Sequence, residues 1–202
     1  LCICLTIIGC SRSQTIINSY QGNGFYFTTE SDNLYEYSGS IAKVGSGRIN
    51  TLNKASSQSL HTSSNAAVNI ISPSGKVIFR HEPNHRVRAS VINSDMTKII
   101  YVTKSGDLFQ YNRIENTTQE VGVTLYPVPK QMILDERNQM VYYHDKSTVF
   151  RLNLKTLKVT VLTKVFLPIQ SIAHNSYTNE IYFSTSTDGK IYKVGQYVPT
   201  IM

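Results

Sequence analysis

Apolar and polar residues alternate in short runs along most of this chain, the period expected of half-buried β-strands. Four runs line up: Gly24-Phe25-Tyr26-Phe27-Thr28-Thr29, Ile99-Ile100-Tyr101-Val102-Thr103-Lys104, Met140-Val141-Tyr142-Tyr143-His144-Asp145 and Glu180-Ile181-Tyr182-Phe183-Ser184-Thr185. Each places a Tyr third, then an apolar residue, then a polar one. Tyr101, Tyr142 and Tyr182 are spaced by 41 and 40 residues, and the 75 residues from Tyr26 to Tyr101 leave room for one more unit. That unit is read at Val68-Asn69-Ile70-Ile71, the turn Ser72-Pro73-Ser74-Gly75 and Lys76-Val77-Ile78-Phe79.

Each Tyr run is followed by a polar turn and a second alternating run. The turns contain Asp32-Asn33, Ser105-Gly106, Lys146-Ser147 and Asp188-Gly189. Such dipeptides suit hairpins, because Gly, Asn and Asp tolerate the positive φ that tight turns require. A shorter apolar run lies upstream, at Ile16-Ile17, Val91-Ile92, Ile133-Leu134 and Ile172-Ala173, and a fourth follows in some units, as at Lys158–Leu162. Short antiparallel strands in fours, repeating about every 40 residues, predict an all-β fold, a β-propeller. One such unit cannot bury both of its faces, so neighbours must stack. The expected blades are 15–56, 57–87, 88–128, 129–167 and 168–196, about five recognisable blades of a six-bladed ring. Residues 197–202 then begin a further strand or close the ring. In a central strand, Tyr26, Tyr101, Tyr142 and Tyr182 are expected in the core.

Composition agrees. The chain of 202 residues is 41% hydrophobic and 16% charged, too apolar for a disordered tail, and it has 13 Tyr and no Trp. All three cysteines, Cys2, Cys4 and Cys10, fall in the first ten residues, so no disulfide framework holds the remainder. Leu1–Gln14 is an apolar run too short to span a bilayer and reads as part of a secretory signal that begins before Leu1.

Ile7-Ile8-Gly9-Cys10 resembles the lipobox of bacterial lipoproteins. The resemblance implies a lipid anchor on Cys10 and an exported address, in the bacterial outer membrane or periplasm; with an ordinary cleaved signal the address is extracellular. Tyr142-Tyr143-His144-Asp145, with Ile133-Leu134-Asp135 upstream, resembles the YWTD repeat of six-bladed propellers, Tyr143 standing where that repeat has Trp. NHL and gluconolactonase-type propellers share the layout. The YWTD resemblance implies the fold for 88–194 and, more loosely, 15–87.

Candidate chemistry is sparse. His81-Glu82-Pro83-Asn84-His85 has the letters of the HExxH zinc motif, but that chemistry needs a helix and Pro83 would break one. A polar loop between units is expected there. Resemblance to gluconolactonase-type propellers implies a calcium or zinc site on the ring axis, for which Asp95, Asp135 and Asn175, with His174 nearby, are the candidates. The opposing expectation is that these residues cap tight turns. The net charge of +7 has one dense cluster, Arg80, His85, Arg86 and Arg88, which suits acidic lipid, polysaccharide or protein better than nucleic acid. Asn116-Thr117-Thr118 is a glycosylation sequon only in a eukaryotic secreted chain. The expected function is therefore a non-catalytic, exported and lipid-anchored module that binds a protein or glycan, with no cofactor. The alternatives are a metal-dependent hydrolase or lyase of the gluconolactonase kind and a fragment of a YWTD-type receptor.

Overall fold

A computed structural model of the chain describes residues 67–72 and 76–195 with their side chains, and the backbone of six strands between residues 16 and 63. Among the described residues every regular element is a strand. The first sheet is β1 (Ile16–Gln21), β2 (Phe25–Thr29), β3 (Asn33–Tyr37) and β4 (Ile41–Ser46). The second is β5 (Thr51–Ser56), β6 (Ser59–Ser63), β7 (Val68–Ile71) and β8 (Val77–His81). The third is β9 (Val87–Ile92), β10 (Lys98–Thr103), β11 (Asp107–Asn112) and β12 (Thr117–Thr124). The fourth is β13 (Gln131–Asp135), β14 (Met140–His144), β15 (Thr148–Asn153) and β16 (Val159–Lys164). The fifth is β17 (Ile169–Asn175), β18 (Glu180–Thr185) and β19 (Ile191–Lys193). Each sheet is an antiparallel meander in chain order.

The first strands of successive sheets lie side by side, β1 against β5, β5 against β9, β9 against β13 and β13 against β17. In all four four-stranded sheets the register shifts once between the third and fourth strands, at Leu34/Tyr35, Ile70/Ile71, Asp107/Phe109 and Val149/Phe150. A bulge of this kind bends its strand and increases the local twist, which turns each outer strand away from its inner one.

Between the sheets the core is hydrocarbon and aromatic. Ile99, Tyr101, Tyr111 and Val87 of the third sheet pack with Val68 of the second. The opposite face of the third sheet, with Ala89, Val91, Ile100, Val102 and Leu108, meets Met132, Val141, Tyr143, Phe150 and Leu152 of the fourth. Tyr142 and Val149, on the far face of the fourth, meet Ile169, Ile172, Ile181 and Phe183 of the fifth. Because successive side chains of a strand point to opposite faces, both faces of the third and fourth sheets are buried.

This packing revises the repeat. The residues equivalent to Tyr101 are Tyr143 and Phe183, all turned toward the preceding sheet, whereas Tyr142 turns toward the following one and Tyr182 is only half-buried. A slip of one position exchanges the two faces of a strand, and aligning on Tyr alone makes that slip. The recurring unit is an aromatic pair directly opposed across the second and third strands. Phe27 faces Tyr35 in register, and so do Tyr101 and Phe109, Tyr143 and Phe150, and Phe183 and Tyr192. The last three pairs stack at centroid distances of 5.5, 4.9 and 5.4 Å. Such a pair adds about 0.5–1.5 kcal/mol beyond its buried area.

The second sheet also differs from the sequence reading. Residues 51–56, expected at the end of the first unit, pair with β6 and open the second sheet. The Val68–Ile71 and Val77–His81 hairpin supplies its third and fourth strands rather than its central one. β6, Ser59-Leu60-His61-Thr62-Ser63, has no Tyr or Phe, and the polar sequences of β5 and β6 lack the apolar runs that mark the other sheets.

Candidate functional site

Antiparallel meanders bring the connections to two ends. One end collects the turns from first to second and from third to fourth strands. The other collects the turns from second to third strands and the loops between sheets.

At the first end, side-chain oxygens cap backbone amides. Asp135 accepts from Asn138 N at 3.2 Å through Oδ1 and from Asn138 Nδ2 at 2.7 Å through Oδ2. Asn175 Oδ1 accepts from the amides of Tyr177 and Thr178, Asn112 Oδ1 from those of Ile114 and Glu115, and Asn153 Oδ1 from those of Lys155 and Thr156. These are Asx turns, in which a short polar side chain replaces a backbone acceptor. In the third sheet the position of Asp135 and Asn175 is taken by Asn93, whose Oδ1 accepts from Lys98 N at 2.8 Å. Asp95 lies two residues further on, exposed, and accepts from Thr97 N and Oγ1 at 2.9 and 2.6 Å, which holds its carboxyl below the usual range. Asp95, Asp135 and Asn175 thus each serve a turn of their own, and among the described residues no three His, Cys, Asp or Glu form a group that could hold a metal. A metal at Asp135 would have to displace Asn138 from both carboxylate oxygens.

One contact between sheets stands out at this end. His174 Nε2 lies 3.9 Å from Asp135 Oδ2, the two side chains being 6% and 4% exposed. The same nitrogen is 3.1 Å from Asn179 Oδ1, and the imidazole tilts against Tyr142 at 5.2 Å. Burial, and then the Asp135 charge, push the Tyr142 hydroxyl pKa up. The group ties the fourth sheet to the fifth. Gln131 does likewise, its Oε1 accepting from Ser171 Oγ and Ile172 N.

The HExxH letters form no helix: His81 ends β8 and His85 lies in the loop after it. Both rings pack on the third sheet, His81 on Tyr111 at 3.9 Å and His85 on Phe109 at 4.9 Å. Glu82 pairs with Arg80. The loop is therefore partly an aromatic joint. Of the expected basic cluster, Arg80 and Arg86 are exposed and Arg88 is half-buried. Asn116 of the sequon accepts from Tyr111 Oη at 2.8 Å. Cys10, residues 197–202 and the Tyr26 side chain lie outside the described residues.

At the second end carboxylates also hold turns. Asp145, the residue in the Asp place of the YWTD-like motif, accepts from Ser147 N and Thr148 N at 2.8 and 2.6 Å. Asp107 accepts from Ser105 and Thr124, and Asp188 from Thr185, Lys190 N and Tyr192. Tyr143, in the Trp place, is fully buried, and burial pushes its hydroxyl up to about 12. His144 is 1% exposed; its Nδ1 lies 2.6 Å from the Asp145 carbonyl oxygen, its Nε2 has no partner, and burial lowers its pKa.

The loops between sheets repeat in one respect that sequence reasoning missed. Leu125 N donates to Gly106 O, and Val165 N donates to Ser147 O, each at 2.8 Å. Leu125 and Val165 are buried at 0% and 3% exposure, while the next residues, Tyr126 and Phe166, are 88% and 83% exposed. Gly106 has φ +99°, and a Cβ there would stand 2.5 Å from the Leu125 carbonyl oxygen, so the close approach that fixes this loop requires glycine. The available signal was the aromatic residue placed shortly before Pro127–Pro129 and before Pro168.

No family model and no curated protein matches the sequence. Solved structures do match in shape. A chain of a nidogen/laminin complex superposes with TM-score 0.68 at 10% identity, over 89% of this chain and 75% of that one. The WD40 β-propeller domain of Doa1 superposes with TM-score 0.66 at 14% identity, over 91% of this chain and 64% of that one. The tricorn protease gives TM-score 0.52 at 10% identity, over 81% of this chain and 18% of that one. The fold is a β-propeller. Its blades are the five sheets, with β1, β5, β9, β13 and β17 as inner strands, and its two faces are the two ends just described. At these identities the likeness concerns the fold alone.

Proposed function

We propose that this propeller is a non-catalytic binding module for a protein partner, exported and held at a membrane by a lipid on Cys10. One observation supports this above others. The polar groups that sequence offered for catalysis, Asp95, Asp135, Asn175, His81 and His85, are engaged in turn capping or ring packing. Large apolar side chains meanwhile stand free at turn and loop tips, with Ile114 79% and Tyr177 98% exposed at the first end and Tyr126 and Phe166 at the second. Exposed aromatic anchors on rigid loops are what protein interfaces use. The complex containing a similar propeller, nidogen with laminin, points the same way. In this reading the first end, with Tyr177 and Ile114, meets the protein partner.

Mass spectrometry of the native protein tests the anchor: acyl chains on a mature N-terminal Cys10 are expected, and an unmodified Cys10 or a start elsewhere contradicts it. Calcium or zinc retained through purification and lost in Asp135→Ala would replace the binding reading with the gluconolactonase-like one.

A further inference from the structure

The second end carries more than its turns need. Arg86, Lys104, Lys130, Lys146, Lys164 and Lys190 are all exposed there, spread over the third to fifth blades, and among the described residues none of their side chains makes a hydrogen bond or ion pair. Of the carboxylates at this end, Asp107, Asp145 and Asp188 are folded back onto their own turns, and Glu82, in the loop that holds Arg86, is paired with Arg80. At the first end of the same blades Lys98, Arg137, Lys155 and Lys158 are likewise exposed without a side-chain hydrogen bond or ion pair, but the balance of charge differs. Six cations there, counting Arg113, which donates to Met96 O, and Lys193, which is paired with Glu180, stand among five carboxylates, Asp95, Glu115, Asp135, Glu136 and Glu180. Between the free cations of the second end stand Tyr126 and Phe166, each next to a buried residue that pins its loop.

We infer that this second end is a docking face for an anionic lipid bilayer. The cations are dispersed over neighbouring blades, which matches a laterally continuous negative surface better than one acidic segment. Lys and Arg near such a surface attract it, and the effect weakens within a Debye length as salt rises. Two aromatic tips at equivalent loop positions can enter the headgroup region together, where amphipathic and aromatic side chains gather. The face is independent of the protein-binding reading and of Cys10. It would orient the propeller with the Ile114 and Tyr177 end outward.

The test uses the full chain with Cys10→Ser, so that no acyl chain contributes. Sedimentation with phosphatidylcholine vesicles is compared with vesicles of mixed phosphatidylcholine and phosphatidylserine. Binding to the anionic vesicles alone is expected, and it should weaken as salt is raised. Lys104→Gln, Lys146→Gln and Lys190→Gln should each weaken it about five-fold. Tyr126→Ser and Phe166→Ser should each weaken it by up to about ten-fold. The pair Ile114→Ser and Tyr177→Ser should leave it unchanged. Equal binding to both vesicle types, no effect of the second-end substitutions, or an equal loss from the first-end pair would each overturn the assignment. Binding to soluble polyglutamate with no vesicle partition would also overturn it, and would move the face to acidic proteins. Unchanged unfolding midpoints of the variants exclude misfolding as the cause of any loss.

Discussion

The two faces of this propeller are built from the same kinds of turn yet use their side chains differently. At the first end Asn112, Asp135, Asn153 and Asn175 turn inward to cap backbone amides, and Asp135 also touches His174 of the next blade. At the second end carboxylates still cap, but the cations left over outnumber them and stand beside Tyr126 and Phe166, whereas the first end leaves Ile114 and Tyr177 over in a nearly balanced field of charge. A polar residue inside a tight turn is therefore weak evidence for chemistry. The informative residues are those that the local structure does not use.

Substitutions should separate the faces. The largest effect is expected at Gly106→Val, where a side chain meets both the positive φ and the Leu125 carbonyl oxygen. A loss of about 3 kcal/mol in urea unfolding is expected, with weaker vesicle binding because the Tyr126 loop loses its tether. Asp135→Ala should cost about 1–3 kcal/mol, since it leaves Asn138 without its acceptor and removes the carboxylate packed beside His174. Vesicle binding should not change. If instead Asp135→Ala abolished binding and left stability intact, the division between the faces would fail.

The pH dependence sharpens the same contrast. Burial lowers the pKa of both His144 and His81 from the ordinary imidazole value of 6.5. Below 6.5 the unfolded chain takes up protons that these folded histidines resist, so stability is present above that pH and falls as the solution is acidified toward the folded values. Unfolding midpoints measured at pH 8 and pH 5.5 should show the lower stability at pH 5.5, and His144→Gln should flatten the difference. A stability that rose on acidification would contradict the buried, neutral assignment. The smallest effect is expected at Tyr126→Ser or Phe166→Ser, which should change stability by no more than about 0.5 kcal/mol.

Much of the fold was legible because strand alternation and Asx or glycine turns are local signals. The pairs Tyr101–Phe109 and Phe183–Tyr192 sit in short apolar runs joined by the Ser105-Gly106 and Asp188-Gly189 turns. What escaped was what depends on neighbours. Tyr142 and Tyr143 are adjacent aromatics, and only the packing of the third and fifth blades decides which faces which. Strands β5 and β6, rich in Ser, Thr and Asn, carry no alternation strong enough to place them. Of the candidate site, Asp135 and His174 do meet across a blade boundary, but Asp95 sits two residues past the equivalent position, which Asn93 fills in a turn of the same length. Tyr126 and Phe166 escaped because an aromatic residue in a repeat reads as core until its exposure is known.

Lysine acetylation footprinting with anionic vesicles tests the central claim most directly, since it reads both faces in one unmodified sequence. Lys104, Lys130, Lys146 and Lys190 should be protected, while Lys98, Lys155 and Lys158 of the opposite face remain reactive. Protection of the second group with the first left reactive, or uniform reactivity of both, would contradict the account.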